Sequence, residues 1–320
     1  MISPSARLGA QLGLALLLAA QPSPASETPP QTPQAPQTPT FAADVEAVYL
    51  DVFVTRDGRP VTGLTERDFE LRVDGRRRAA ILAAVEALPL RVFVALDTSG
   101  SVSGDKLAQL RAGGLDLLRG LRPGDEAALL TFDHEIAVRA PLTNDIARLE
   151  LAILALKPRG STALYDAIYA ATLLAAGRGR TLLVVFSDGE DNLSWLDGPQ
   201  VIRALEESNV LVQVVASLPP DPPTPSFSRM APLPPPEAAH VRTLRRMAEV
   251  TGGQLWAAAT TASVSDAFRA VLEAMRTRYV LRFEPESPRR PGLHTVDVRL
   301  VRRSGKVLSR RAYFVGPNPR

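Results

Sequence analysis

The 320-residue chain contains no cysteine, which excludes disulfides, thiol catalysis, cysteine-ligated metals and a lipid-modified N-terminal cysteine. Histidine is nearly as scarce. His134, His240 and His294 are scattered and read as surface or loop residues, with His134, between two strand patterns, the one placed near a sheet edge. Their spacing offers no Ser-His-acid triad, Gly-x-Ser-x-Gly does not occur around Ser99, Ser101 or Ser103, and no phosphate-binding Gly-x4-Gly-Lys-Ser/Thr loop exists. No apolar run reaches the roughly 20 residues that cross a bilayer as a helix. Charge is close to balanced, 37 basic against 34 acidic residues for a net +3, so the whole chain does not argue for a nucleic-acid partner. Locally, residues 276–320 hold 12 basic and 3 acidic residues, which read as solvated strand faces rather than as a patch for an acidic polymer.

What is present begins with export. Residues 8–20, Leu8 to Ala20, form an apolar run behind Arg7, followed by small residues at Ala19, Ala20, Ser23 and Ala25. This pattern predicts a signal peptide over 1–20, cleaved at about 20–25, with a retained membrane anchor as the alternative. Export without disulfides points to a bacterium and to the periplasm or the outside of the cell, with no transmembrane segment in the mature chain. Residues 21–41 follow as a linker. Between Gln21 and Thr40, 7 of 20 residues are proline, a composition that favours extended, solvated chain. A second stretch, Pro219 to Pro236, has 9 prolines in 18 residues and reads as a long exposed loop; its functional alternative is a ligand for a proline-recognising domain.

Between these stretches the hydrophobic pattern alternates strand and helix. Strands are predicted at Leu90–Leu96, Ala127–Phe132, Ile136–Ala140, Leu182–Phe186, Val210–Ala216 and Gln254–Ala257. Helices are predicted at Gly104–Leu118, Ile146–Leu156, Leu164–Ala175, Pro199–Glu207, His240–Thr251 and Val264–Thr277. Such alternation predicts an α/β fold, a doubly wound and mostly parallel sheet with helices on both faces and Ile136–Ala140 as an antiparallel edge. Gly113-Gly114 weakens the first helix unless close packing requires it.

Three segments of this region carry chemistry. The run Leu90–Leu96 ends in Asp97-Thr98-Ser99-Gly100-Ser101, which puts an acid and two hydroxyls at a strand tip. Gly160-Ser161-Thr162 opens a helix with another hydroxyl, and the strand through Phe186 ends in Ser187-Asp188-Gly189. Each alone reads as an ordinary cap or turn. Together, at the C-terminal ends of buried strands, they assemble hydroxyl and carboxylate oxygens without imidazole or thiolate, a donor set for Mg²⁺, Mn²⁺ or Ca²⁺ rather than Zn²⁺ or copper. Glu190 and Asp191, just behind, read as residues that keep a loop solvated, with tuning of the local charge as the alternative.

An Asp-x-Ser-x-Ser loop, a Gly-x-Thr helix start and a strand ending in Ser-Asp-Gly, in this order, resemble the von Willebrand factor type A domain. The resemblance implies a metal-ion-dependent adhesion site at Asp97, Ser99, Ser101, Thr162 and Asp188. It further implies that Ser99, Ser101 and Thr162 ligate directly, that Asp97 and Asp188 act partly through waters or hydrogen-bonded hydroxyls, and that an open position takes an Asp or Glu of a partner protein. Ser161 departs from the commoner Gly-Gly-Thr. The function implied is a non-enzymatic, Mg²⁺-dependent binding module. The alternative is a Mg²⁺-dependent hydrolase or phosphatase, disfavoured because Ser99 stands where an Asp-x-Asp phosphatase needs its second carboxylate.

Both flanks read as β structure. Strand patterns at Val45–Val54 and around Phe69–Val73 precede the α/β region; Tyr279–Phe283, Thr295–Val301, Lys306–Leu308 and Ala312–Val315 follow it. Neither set makes a core alone, so residues 42–88 and 278–320 are expected to complete one small split β-sandwich into which the type A domain, 89–277, is inserted. This layout resembles von Willebrand type A related proteins of soil bacteria, the acidobacterial type, with Val61 to Phe69 as their characteristic opening.

Overall fold

Runs that are apolar at nearly every position become the strands of the central sheet, because only burial on both faces suits them. The computed structural model describes residues 47–83, 89–176, 179–217, 238–258, 260–285 and 290–315, all within the unit Val45–Arg320. The signal-peptide and linker segments, residues 1–41, and the Pro219–Pro236 stretch lie outside the described residues. In chain order the elements are β1 (Val48–Arg56), β2 (Arg59–Pro60), β3 (Phe69–Val73), β4 (Arg76–Arg78), β5 (Ile81–Ala83), β6 (Leu90–Asp97), α1 (Asp105–Arg119), β7 (Glu126–Phe132), β8 (Ile136–Thr143), α2 (Ile146–Leu154) and α3 (Leu164–Ala175). There follow β9 (Arg180–Ser187), α4 (Gly198–Glu207), β10 (Leu211–Ser217), α5 (Ala239–Val250), β11 (Leu255–Ala258), α6 (Thr261–Arg276), β12 (Tyr279–Phe283), β13 (Gly292–Leu300), β14 (Lys306–Leu308) and β15 (Ala312–Val315).

The central sheet has the order β11-β10-β9-β6-β7-β8 and is parallel except for the edge strand β8. From β6 the chain first builds outward through β7 and β8, then returns to the other side of β6 as β9, β10 and β11. The direction reverses between β6 and β9, and the carboxyl ends of those two strands therefore flank the crevice where ligands bind in open α/β sheets. Helices α1, α2 and α6 cover one face through Leu110, Leu117, Ile153 and Phe268. Helices α3, α4 and α5 cover the other through Ile168, Ala171, Leu205 and Met247. Gly113 is needed for this packing, since a Cβ there would lie 2.4 Å from the Phe268 ring, and the close approach of α1 and α6 offsets its weak helix propensity.

The strands outside this sheet form two further sheets, β14-β1-β12-β5 with β2 on β1, and β15-β13-β3-β4. Partners come from opposite ends of the chain: Val48 faces Phe283 and Val296 faces Val73. Leu50, Val52, Val54, Leu71, Val73, Leu281, Phe283, Val296, Val298 and Tyr313 form one buried cluster between them. β4 and β5 have no alternating pattern to betray them. β4 is three arginines, folded back by the Asp74-Gly75 turn, in which both residues have positive φ. His294, expected on a surface or loop, is a partly buried strand residue of β13 stacked on Tyr313 at 5.2 Å and bonded to Asp74 at 2.7 Å.

The basic tail differs from its expectation at two positions. Arg278 and Arg310 are buried and reach backbone carbonyls: Arg278 bonds Gly252 O at 2.8 Å while its Nε and Nη1 are buried without a hydrogen-bond partner, and Arg310 bonds Ser208 O at 2.5 Å and Asn209 at 3.0 Å. Burial pulls each guanidinium down to about 10, opposed by the charge of Asp51. Arg180 completes the group by bonding Asp51 at 2.8 Å and Met275 O at 2.7 Å, which ties the start of β9 to β1.

Candidate functional site

Asp97 is the last residue of β6 and has no exposed surface. Its Oδ1 accepts from the Ser99 N–H at 2.9 Å, and its Oδ2 accepts from the Ser187 hydroxyl at 2.7 Å. Ser187, the last residue of β9, in turn accepts from the Gly189 N–H at 3.0 Å. One carboxylate thereby locks together the two strand ends that flank the crevice. Burial pushes the Asp97 carboxyl up to about 6; the hydrogen bonds from Ser99 and Ser187 work against this, and the neighbouring charge of Asp188 adds to it.

The Ser99 and Ser101 hydroxyls lie 3.0 Å apart. Asp188 sits one residue past β9, its side chain 8% exposed, with Oδ2 3.1 Å from the Lys106 ammonium and Oδ1 buried without a hydrogen-bond partner. The Gly160–Thr162 turn is drawn in by its backbone. Gly100 N–H donates to Gly160 O at 2.9 Å, and Arg159 N–H donates to Thr98 O at 2.7 Å. Gly160 has φ +67°, and a Cβ there would lie 2.2 Å from the His134 ring, so only glycine fits. Thr162 is buried and fixed by its main chain: its N–H donates to Asn192 Oδ1 at 2.9 Å, and its carbonyl accepts from Asn192 and Leu193 at 3.1 Å each.

All five residues singled out from the sequence thus stand at one sheet edge. Asp97, Ser99 and Ser101 are linked directly, Asp188 is close enough to Asp97 to act on its charge, and Thr162 is held on the facing turn by its main chain. Neither serine nor threonine is spent on capping. The start of α3 is N-capped by Ala163 without a side-chain bond, and its free N–H groups are taken by Asp191, 3.3 Å from Leu164 N, and Ser194, 3.1 Å from Asp166 N. Among the described residues no group of three or more His, Cys, Asp or Glu side chains could hold a metal. Any cation here therefore relies on the hydroxyls, and an orphaned carboxylate oxygen and a hydroxyl pair on one sheet edge are donors that suit a hard cation.

Residues 92–190, from β6 to just past β9, match the von Willebrand factor type A domain. The chain carries a von Willebrand factor type A domain. No curated protein matches the chain. Among solved structures, the vWF domain of the type V pili tip protein Mfa5 from Porphyromonas gingivalis is 26% identical, over 32% of this chain and 39% of that one, with a TM-score of 0.31. A von Willebrand factor type A structure from Catenulispora acidiphila is 12% identical over 82% of this chain and 76% of that one, with a TM-score of 0.48. An aerotolerance-related membrane protein from Bacteroides fragilis, its structure solved with multiple mutations to serines, is 18% identical over 58% and 98%, with a TM-score of 0.45. The chain spans about two fifths of the length of the Mfa5 domain it matches.

Several residues of the type A domain's rim shape the site without belonging to its motifs. Asp133, following β7, is buried and accepts from Glu135 N at 2.9 Å and from Arg159 Nε at 2.9 Å, while His134 Nδ1 lies 3.0 Å away. The signal for it is positional, since β6, β7 and β9 each run into an aspartate. Asp191, expected to keep its loop solvated or to tune the local charge, organises the loop by accepting from Leu164 N and Ser194 N at 3.3 Å. The same loop is pinned by Asp166, whose two oxygens accept from Trp195 N and Leu196 N, both at 3.0 Å. This holds Trp195 outward with 96% of its surface exposed.

Proposed function

We propose that the chain is an exported, non-enzymatic binding module that captures an acidic side chain of a partner protein through a divalent cation, Mg²⁺ or a close substitute, held by Asp97, Ser99, Ser101, Thr162 and Asp188. The observation that carries this reading is the orphaned, buried oxygen of Asp188, whose charge acts on Asp97, on the same sheet edge as the Ser99–Ser101 hydroxyl pair. When bound, the cation supplies a Lewis-acidic contact for a carboxylate. The protein's own part is to preset the donors: Asp97 is fixed from both sides by Ser99 and Ser187, and Thr162 is fixed by Asn192, so little ordering remains to be done on binding. Three neutral hydroxyls leave much of the cation's charge uncompensated, which favours an anionic ligand over a neutral one.

Trp195 belongs to the same reading. A fully exposed indole on a loop tied to the Thr162 turn suits an anchor beside the captured carboxylate, since tryptophan dominates interface hot spots. The type A domain, 89–277, would be presented by the split β-sandwich of the flanking strands. No helix among the described residues is long and apolar enough to cross a membrane. Export rests on the apolar N-terminal run.

Titration calorimetry of the full chain with Mg²⁺ and Mn²⁺ is expected to give one site per molecule, lost in Asp97→Ala. Equal Mn²⁺ binding by the two proteins would remove the assignment. A pull-down from a bacterial envelope fraction should then retain a partner in Mg²⁺ and release it in EDTA, and undiminished capture in EDTA would move the interaction to another surface.

A further inference from the structure

We propose that Lys106 is a built-in counter-ion of this site, which a divalent cation must displace from Asp188 to bind; the inference rests on the cation reading above. Lys106 is the second residue of α1. A cation is disfavoured there, because the first turn of a helix already carries the positive end of the backbone dipole. The side chain nevertheless points to the sheet edge, with Nζ 3.1 Å from Asp188 Oδ2.

The charges explain the arrangement. Asp97 and Asp188 bring two acids to one edge, and the Asp97 partners, a backbone N–H and a hydroxyl, are neutral. Lys106 supplies the positive charge that Asp188 faces, at a carboxylate only 8% exposed. A divalent cation using the same carboxylate would stand within a few ångströms of the ammonium and be repelled by it. Lys106 is itself 41% exposed on a flexible four-carbon stem, so it can leave for solvent while Asp97 and the hydroxyls stay in place. The resting ion pair therefore weakens cation binding by the free energy needed to break it, and it keeps the cation-free edge from repelling itself.

Two effects of opposite sign follow from neutralising this residue. Lys106→Met should lower the melting temperature of the cation-free protein, because Asp188 loses its partner. It should also bind Mg²⁺ and Mn²⁺ about tenfold more tightly, so that the cation raises its melting temperature more than it does in wild type. A residue that merely supported the fold would lower both. Lys106→Arg, which keeps the charge, should stay within a few-fold of wild type, and Lys106→Gln serves as a second neutral variant if Met folds poorly. Calorimetry and thermal unfolding of the full chain, with the metals alone as probes, decide the matter. If wild type and the neutral variants bind with equal affinity, the counter-ion role falls and the cation site stands. If none of them binds a cation, both fall.

Discussion

A carboxyl group with no exposed surface whose pKa rises from 3.8 to about 6 makes the folded state less stable at neutral pH by about 3 kcal/mol. The sign is fixed by proton count. Between pH 3.8 and about 6 the folded chain holds a proton on Asp97 that the unfolded chain has released, so the cation-free protein loses stability as pH rises through that window. Asp97→Asn is expected to remove this fall and to be more stable than wild type at pH 7 without cation, though it no longer binds one; urea unfolding at pH 4.5 and 7 in EDTA checks both. A variant no more stable than wild type at pH 7 would show that the hydrogen bonds from Ser99 and Ser187 outweigh burial. Asp97, Ser99 and Ser101 are legible in the sequence because they share one loop at the end of an unmistakable strand. Asp188 and Thr162 are legible through the family pattern. Lys106 and Trp195 are not, because their meaning depends on which loop folds against which helix end.

At the scale of elements, the loop between β9 and α4 shows how much a short acidic segment can hold. Asp166 in the first turn of α3 accepts from Trp195 and Leu196, Asp191 accepts from Leu164 and Ser194, and Asn192 fixes Thr162. Asp166→Ala should therefore loosen Trp195 and, through the shared turn, weaken cation binding several-fold, at a stability cost of about 1–3 kcal/mol for the unsatisfied N–H groups. In a Trp256→Phe background, where Trp195 is the one remaining tryptophan, its fluorescence anisotropy should drop; unchanged anisotropy would mean that the loop holds its shape without Asp166. Helical and strand periodicity locates the six α-helices of the described residues and the longer strands to within a few residues. β2, β4 and β5 escape it, since β2 has only two residues, the arginines of β4 contradict strand propensity, and Ile81–Ala83 is apolar at every position and shows no alternation. They exist because a neighbouring strand offers an edge.

For the whole molecule, the pairing of β1 with β12 and of β3 with β13 makes the first and last described segments depend on each other. Residues 279–320 alone should be unfolded by circular dichroism. A fragment of residues 88–278 should keep the cation site but melt well below the full chain, because Arg180 loses Asp51 and Arg278 loses the Phe53 ring 5.4 Å away. A cooperatively folding C-terminal fragment would contradict this dependence. The pairing of distant strands also bears on how quickly the chain can reach this state. Closing a loop from Val48 to Phe283 in an unfolded chain is entropically slow, and the apolar side of β1 waits unpaired meanwhile. Yet β6 starts, and α6 ends, at the same edge of the central sheet. Once that sheet forms, the span between the outer strands collapses from more than two hundred residues of coil to a short hop across a rigid body. The central sheet with its helices is in this sense a folding tether, and mutations that slow its assembly should delay pairing of the outer strands and prolong the exposure of β1 to aggregation.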